Sequence, residues 1–196
     1  MYYISKISNG KATIVDTKDG VEEQYSTMDL KNFVVNKGLK VIGADVDDAG
    51  YYSISTVKKI KDNLLVCNSG RFQIYNITEN RKVFELTNYD IRYYDNRNEP
   101  YIIGFTIPAN GRYKCKDKVG ISLYVSVKYD IEFTGVILGV LDLKHPKWTR
   151  FLTEVMYFEN DYDDIVEQTG GDCPAFRDRE DIKDIFKNRL GLDYVK

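Results

Sequence analysis

The most regular pattern of apolar and polar residues in the chain lies between residues 119 and 143. From 121 to 133 every odd position is apolar or aromatic, which is the period of a β-strand with one buried face. Residues 136–141 are apolar at almost every position, which indicates a strand buried on both faces. With Thr134-Gly135 as the turn between them, the two strands are predicted to form a central hairpin.

Short β-prone segments precede this hairpin and are separated by Asn, Asp and Gly residues, a spacing typical of antiparallel sheets. Gly104 predicts a bulge in the last of these segments, and Pro108 predicts its end, because proline cannot donate to the ladder. The predicted strands are 2–7, 12–16, 39–43, 51–55, 64–67, 72–77, 83–86, 91–94 and 101–106. Alternation in 148–158 favours a further strand over a helix.

Two helices have clear start and stop signals. Ser26 is a candidate N-cap with Asp29 three residues later, and Gly38 ends the pattern. A second helix is predicted to begin at Asp178 and to end at Gly191, with an apolar stripe at helical spacing. That stripe consists of Ile182, Ile185, Phe186 and Leu190. A shorter acidic helix is predicted over 161–168.

These elements predict an α+β fold with a mainly antiparallel sheet, a central hairpin, an N-terminal β-helix-β module and a C-terminal helix. We expect the small module to span 1–57 and the sheet domain to span 58–196. With 196 residues, 43% of them hydrophobic, and only 4 prolines, the chain is predicted to be ordered nearly end to end.

Cysteine usage and the N-terminus add to this picture. Cys67, Cys115 and Cys173 are far apart and form no C-x-x-C pair, so neither a disulfide framework nor a zinc site is expected. The N-terminus lacks the features of a signal peptide, and no apolar stretch reaches the length of a membrane span. We therefore expect a cytoplasmic protein with no cofactor and no membrane partner.

The formal net charge is only -2, but the charge is unevenly distributed. Residues 58–150 carry an excess of Lys and Arg, whereas 151–184 carry an excess of Asp and Glu. A dense acidic cluster in the second region is preferred over the basic residues as the partner-binding surface, because the acidic excess is larger and denser, and it could mimic a phosphate backbone and bind a basic protein channel. The alternative is an ordinary solvated face. The cluster consists of Asp161, Asp163, Asp164, Glu167 and Asp172.

A basic ribbon precedes the central hairpin. Its four cations occupy alternate positions, so an extended backbone would place them on one face. Tyr93 and Tyr94 could add stacking rings, and this combination is typical of surfaces that bind single-stranded nucleic acid. The alternative is an edge strand that lysines protect from aggregation. The four cations are Arg112, Lys114, Lys116 and Lys118.

A catalytic alternative is a metal-dependent nuclease with a D-x-K motif at Asp142-Leu143-Lys144. Asp130 or Glu132 and Asp142 would hold Mg or Mn, and Lys144 would help to activate water. In the predicted register Asp142 lies opposite Val127 while Asp130 faces the other way, so this hypothesis requires a bulge.

The stretch GKATIVDTKDGVEEQYSTMDLKNFVVNKGLKVIGADVDD, residues 10–48, resembles a small N-terminal module of prophage and mobile-element proteins from AT-rich Firmicutes. The frequent use of Lys, Asn, Ile and Tyr is similar too. This resemblance implies a host-facing accessory protein, such as an anti-CRISPR-like inhibitor of bacterial defence. The chain also lacks the G-x-S-x-G and phosphate-binding glycine motifs. The leading hypothesis is a non-catalytic phage or mobile-element protein that inhibits a host nucleic-acid-handling defence protein.

Overall fold

The computed structural model describes residues 1–61, 63–68, 72–87, 90, 101–126, 134–152, 155–158 and 180–196. The fold is α+β and dominated by antiparallel sheet, which confirms the predicted fold class. The chain divides into two compact units, Met1–Glu85 and Leu86–Lys196. The predicted boundary at residue 57 falls inside the first unit. The predicted strand 91–94 and the predicted helix 161–168 lie outside the described residues.

A four-stranded sheet and one helix open the first unit. They are β1 (Tyr2–Ser8), β2 (Lys11–Asp16), β3 (Glu22–Ser26), α1 (Thr27–Asn36) and β4 (Val41–Ile42). The strand order is β3-β2-β1-β4, and β4 runs parallel to β1. As predicted, the Ser26 hydroxyl caps α1 by accepting the backbone N–H of Asp29 at 3.0 Å. Leu30 then anchors α1 in a core with Ile4 and Ile14.

Two further sheets follow along the chain. The first is a hairpin of β5 (Ala44–Val46) and β6 (Tyr52–Ile54). The second contains β7 (Lys58–Lys61), β8 (Leu64–Asn68), β9 (Phe72–Asn76) and β10 (Arg81–Leu86). Its strand order is β10-β9-β8-β7. The predicted strands 51–55, 64–67, 72–77 and 83–86 therefore correspond to β6, β8, β9 and β10.

The hydroxyl of Tyr52 in β6 is buried and has no hydrogen-bond partner among the described residues. Burial raises the pKa of this phenol above its usual value of 10.0. A raised pKa favours the neutral form in the folded state. The contribution of this phenol to the free energy of unfolding is therefore fully present below the pKa that the phenol has in the unfolded chain. It is lost as pH rises through the pKa that the phenol has in the folded protein.

We expect Tyr52→Phe to raise the free energy of unfolding by about 1 kcal/mol, because it removes an unpaired buried hydroxyl. The loss of stability at alkaline pH should also become smaller. Urea denaturation at about pH 7 and about pH 10.5 measures both effects. Tyr51→Phe is the control, since Tyr51 is 76% exposed. A destabilised Tyr52→Phe variant would contradict this prediction.

In the residues that the structure describes, the second unit is built on a seven-stranded sheet that contains the central hairpin. Its strands are β11 (Tyr101–Thr106), β12 (Tyr113–Cys115), β13 (Lys118–Ser126), β14 (Thr134–Asp142), β15 (Arg150–Phe151), β16 (Met156–Phe158) and β17 (Asp193–Tyr194). The strand order is β15-β14-β13-β12-β17, with β11 paired to β13 and β16 paired to β14. The predicted bulge at Gly104 is confirmed by a register shift between Ile102 and Gly104.

Helix α2 (Glu180–Leu190) packs on this sheet, as the apolar stripe predicts. Phe186 is fully buried and stacks on Tyr113 with ring centroids 4.3 Å apart. Gly120 in β13 makes this close packing possible, because a Cβ there would lie 2.9 Å from the Phe186 ring. The surrounding core includes Tyr124, Val136, Leu138, Val140, Ile182 and Leu190.

The register of the central hairpin differs from the predicted one. Ser126 lies opposite Thr134, and Asp142 lies opposite Lys118 rather than opposite Val127. Thr134-Gly135 therefore belongs to β14 and is not the turn. Gly135 is needed within the strand because a Cβ there would collide with Val155. Residues 127–133 lie outside the described part of the chain.

The prediction that β13 has one buried and one polar face is also wrong. Ser122 and Tyr124 occupy the predicted polar face, yet both are fully buried. Tyr124 belongs to the core that α2 covers, and its hydroxyl is hydrogen-bonded to that of Thr106 at 2.9 Å. Leu123 and Val125, on the opposite face, are fully buried as well. Burial on both sides therefore removes the polar face that the alternation predicts.

Candidate functional site

A cleft of about 360 Å³ lies beside the turn between β12 and β13. The hairpin register creates it, because Lys118 at the start of β13 pairs with Asp142 at the end of β14. The segment after β14 forms the other side. The cleft is lined by Cys115, Lys116, Asp117, Lys118, Asp142, Lys144, His145 and Trp148.

One wall of the cleft is a tight turn at Lys116-Asp117. Cys115 pairs with Lys118 across this turn, and Lys116 has a left-handed φ of 54°. The backbone N–H of Leu143 donates to the carbonyl oxygen of Asp117 at 2.8 Å, which joins the turn to the end of β14. The exposed side chains of Lys116 and Lys118 therefore lie beside the segment that follows β14.

The opposite wall is a short 3₁₀ turn, Pro146–Trp148, which Asp142 holds in place. Oδ1 of Asp142 accepts the backbone N–H groups of Lys144 at 3.2 Å and His145 at 2.8 Å. The backbone N–H of Asp142 in turn donates to Oγ1 of Thr149 at 3.2 Å. Asp142 is 3% exposed, so its side chain acts as a buried acceptor that shapes the turn.

Trp148 is the single tryptophan of the chain and is 59% exposed. Its ring packs with the His145 imidazole at a centroid distance of 4.2 Å and an interplanar angle of 38°. The Lys147 ammonium lies 5.7 Å from the Trp148 ring centroid, within the range of a cation–π contact. A large exposed ring therefore lies at the cleft, with one aromatic and one cationic neighbour.

Positive charge predominates at the rim. Lys116, Lys118 and Lys144 are exposed, whereas Asp142 is buried and hydrogen-bonded to backbone N–H groups. Asp117 adds one exposed carboxylate. Clustered ammonium groups beside an exposed indole suit a ligand that combines negative charge with a flat ring.

The turn divides the four cations of the predicted basic ribbon. Lys116 and Lys118 line the cleft, whereas Arg112 and Lys114 are not among its lining residues. Arg112 Nη1 donates to the Tyr194 hydroxyl at 3.4 Å, and Lys114 lies opposite Asp193 of β17. The prediction of one extended cationic face is therefore wrong, because the chain reverses direction at Lys116-Asp117.

The nuclease hypothesis is only partly represented in the described residues. Asp142 and Lys144 both line the cleft, whereas Asp130 and Glu132 lie outside the described part. Within that part, no group of three or more His, Cys, Asp or Glu residues could hold a metal ion.

The predicted acidic surface also lies outside the described part of the chain. Its residues are Asp161, Asp163, Asp164, Glu167 and Asp172.

We expect Asp142→Ala to lower the free energy of unfolding by about 1–3 kcal/mol, because two backbone N–H groups lose their acceptor. Asp142→Asn keeps an oxygen acceptor and should cost less than half as much. Urea denaturation measures both variants, with the exposed Asp48→Ala as a control. Equal losses in Asp142→Ala and Asp142→Asn would show that the charge, not the acceptor, stabilises the turn.

Sequence reasoning did not identify Trp148 as a site residue. The available signal was the combination of His145, Lys147 and Trp148 directly after an apolar strand.

Neither α1 nor α2, the two helices that the structure describes, is long and apolar enough to cross a membrane. No protein-family model, curated protein or solved structure matches this chain.

Proposed function

We propose that this protein binds nucleic acid without cleaving it, and that the cleft beside Lys116-Asp117 is the binding surface. The supporting observation is that three exposed lysines and an exposed tryptophan meet at one cleft. Lysines neutralise phosphates and release condensed counterions, and this term dominates affinity for nucleic acid. Aromatic rings add contacts to the bases.

The environment of Asp142 favours binding over catalysis. Its carboxylate is buried, and Oδ1 already accepts two backbone N–H groups. A nuclease of the D-x-K type would use this carboxylate to hold a divalent cation. The hydrogen bonds instead commit Oδ1 of Asp142 to the 3₁₀ turn that positions Trp148.

In the wider role that the sequence predicts, inhibition of a host defence protein, the cleft would act on nucleic acid directly. The cleft would bind a nucleic-acid strand that the defence protein needs for its own activity. The acidic cluster at 161–172 is the alternative surface for the same role, and it would contact a basic channel of the defence protein. The two routes differ because only the first requires binding to isolated nucleic acid.

Fluorescence anisotropy with labelled DNA and RNA strands of about 20 nucleotides tests the proposal at several salt concentrations. We expect saturable binding that weakens as salt increases, with the strands recovered intact after incubation with magnesium or manganese. Failure to bind both the DNA and the RNA strands would overturn the proposed function. Metal-dependent cleavage abolished by Asp142→Asn would overturn its non-catalytic part and support the nuclease hypothesis.

A further inference from the structure

The exposed ring of Trp148 gives the cleft a means to distinguish unpaired bases from paired ones. Resting on the nucleic-acid-binding function proposed above, we propose that the cleft is a subsite for one unpaired nucleotide. Its base stacks on Trp148, and its flanking phosphates lie against Lys116, Lys118 and Lys144. The ligand class is therefore single-stranded nucleic acid, and duplexes are disfavoured.

The position of the indole supports this assignment. Trp148 is 59% exposed although large aromatic side chains are usually mostly buried. Its backbone belongs to a 3₁₀ turn whose start is held by the buried Asp142 side chain. Its ring packs against His145 at 4.2 Å. The stacking surface is therefore already positioned before a ligand binds, which lowers the ordering cost of binding.

The size of the cleft indicates how much of a ligand it holds. A volume of about 360 Å³ is near the lower limit for small-molecule pockets, which suits one base with its sugar rather than a folded polymer. In a duplex the faces of the bases are covered by their neighbours, so a base must first leave the stack to reach the ring. A single strand presents its bases without that cost.

The lysines and the indole contribute differently to selectivity. Three ammonium groups at the rim attract any polyanion, including duplex DNA and polyphosphate. Stacking on an aromatic ring requires a base, and it tolerates different sequences because every base has a π-face. If the protein binds a single strand with bases more tightly than an abasic strand of equal charge, this preference would therefore come from Trp148.

Intrinsic fluorescence tests this assignment, because Trp148 is the single tryptophan and its emission reports on the cleft alone. The full-length protein is titrated with an oligothymidylate of about 12 nucleotides, an abasic strand of equal length, a blunt duplex and polyphosphate. We expect saturable quenching by oligothymidylate. The other three should bind at least about fivefold more weakly and quench little.

Variants then separate the indole from the lysines. Trp148→Ala should weaken oligothymidylate binding about 5- to 100-fold in anisotropy and leave abasic-strand binding unchanged. Trp148→Phe should restore most of the loss. Tyr51→Ala, which removes a 76% exposed ring from the first unit, should have no effect. An unchanged melting temperature of the Trp148→Ala variant would show that its loss of affinity for oligothymidylate does not come from unfolding.

The outcomes distinguish this inference from the proposed function. Equal affinity for oligothymidylate and the abasic strand would overturn base stacking while leaving phosphate binding by the lysines in place. Equal or tighter binding of the duplex would also overturn the preference for unpaired nucleotides. Absence of binding to all four ligands, together with absence of binding to the RNA strands in anisotropy, would overturn the proposed function and this inference.

Discussion

Replacing Lys116, Lys118 and Lys144 together with alanine is expected to remove most nucleic-acid binding without unfolding the protein. All three side chains are exposed at the rim of one cleft, so their removal leaves no buried cavity. Each phosphate contact contributes about 0.7 to the salt slope for a single strand, so the slope should fall by about 2. Affinity at about 50 mM salt should fall at least about tenfold. Anisotropy across a salt series measures both quantities.

The matched control removes the same charge from exposed positions in the first unit, Lys6, Lys18 and Lys31. Both triple variants change the net charge of -2 equally, so a difference between them reports the position of the charge. The control should retain wild-type affinity within about twofold and keep its salt slope. If both variants lose affinity equally, the cleft is not the binding surface.

The second large effect is expected for Phe186→Ala, which should lower the free energy of unfolding by about 3–5 kcal/mol. Phe186 is fully buried, and its ring stacks on Tyr113 at 4.3 Å. Gly120 lies directly beneath it in β13, so loss of the ring leaves a cavity between α2 and the sheet. The surrounding backbone is part of a helix and of paired strands, which restricts collapse into that cavity.

Urea denaturation followed by circular dichroism measures this loss, and Ile185→Ala serves as the control on the same helix. Ile185 packs at the edge of the core and is only partly buried, so its removal should cost about 1–2 kcal/mol. A smaller loss for Phe186→Ala than for Ile185→Ala would contradict the packing of α2 described above.

Several features of the fold were predictable because they depend on residues close together in the sequence. The Ser26 cap of α1 needs only the N–H of Asp29, three residues away. The apolar stripe of α2 follows from helical spacing, and Phe186 and Leu190 are both buried as predicted. The same local signals indicated most of the described strands and hence the α+β class.

The site was predictable only in parts. Lys116, Lys118, Asp142 and Lys144 were all candidates, but they were assigned to two separate hypotheses, and the structure brings them to one cleft. The turn at Lys116-Asp117 was missed because it contains neither glycine nor asparagine, the usual residues at a positive φ. Trp148 was missed because its exposure depends on the turn that Asp142 holds.

The sequence by itself determined both described helices and most of the described strands, since periodicity and capping involve only near neighbours along the chain. Tertiary structure decided the register of β13 against β14, which pairs Lys118 with Asp142 and so builds the cleft. Register depends on distant contacts, such as the approach of Val155 to Gly135, that local alternation does not encode. Tertiary packing against α2 likewise buried Tyr124, because the partner of a strand face lies far away in the sequence.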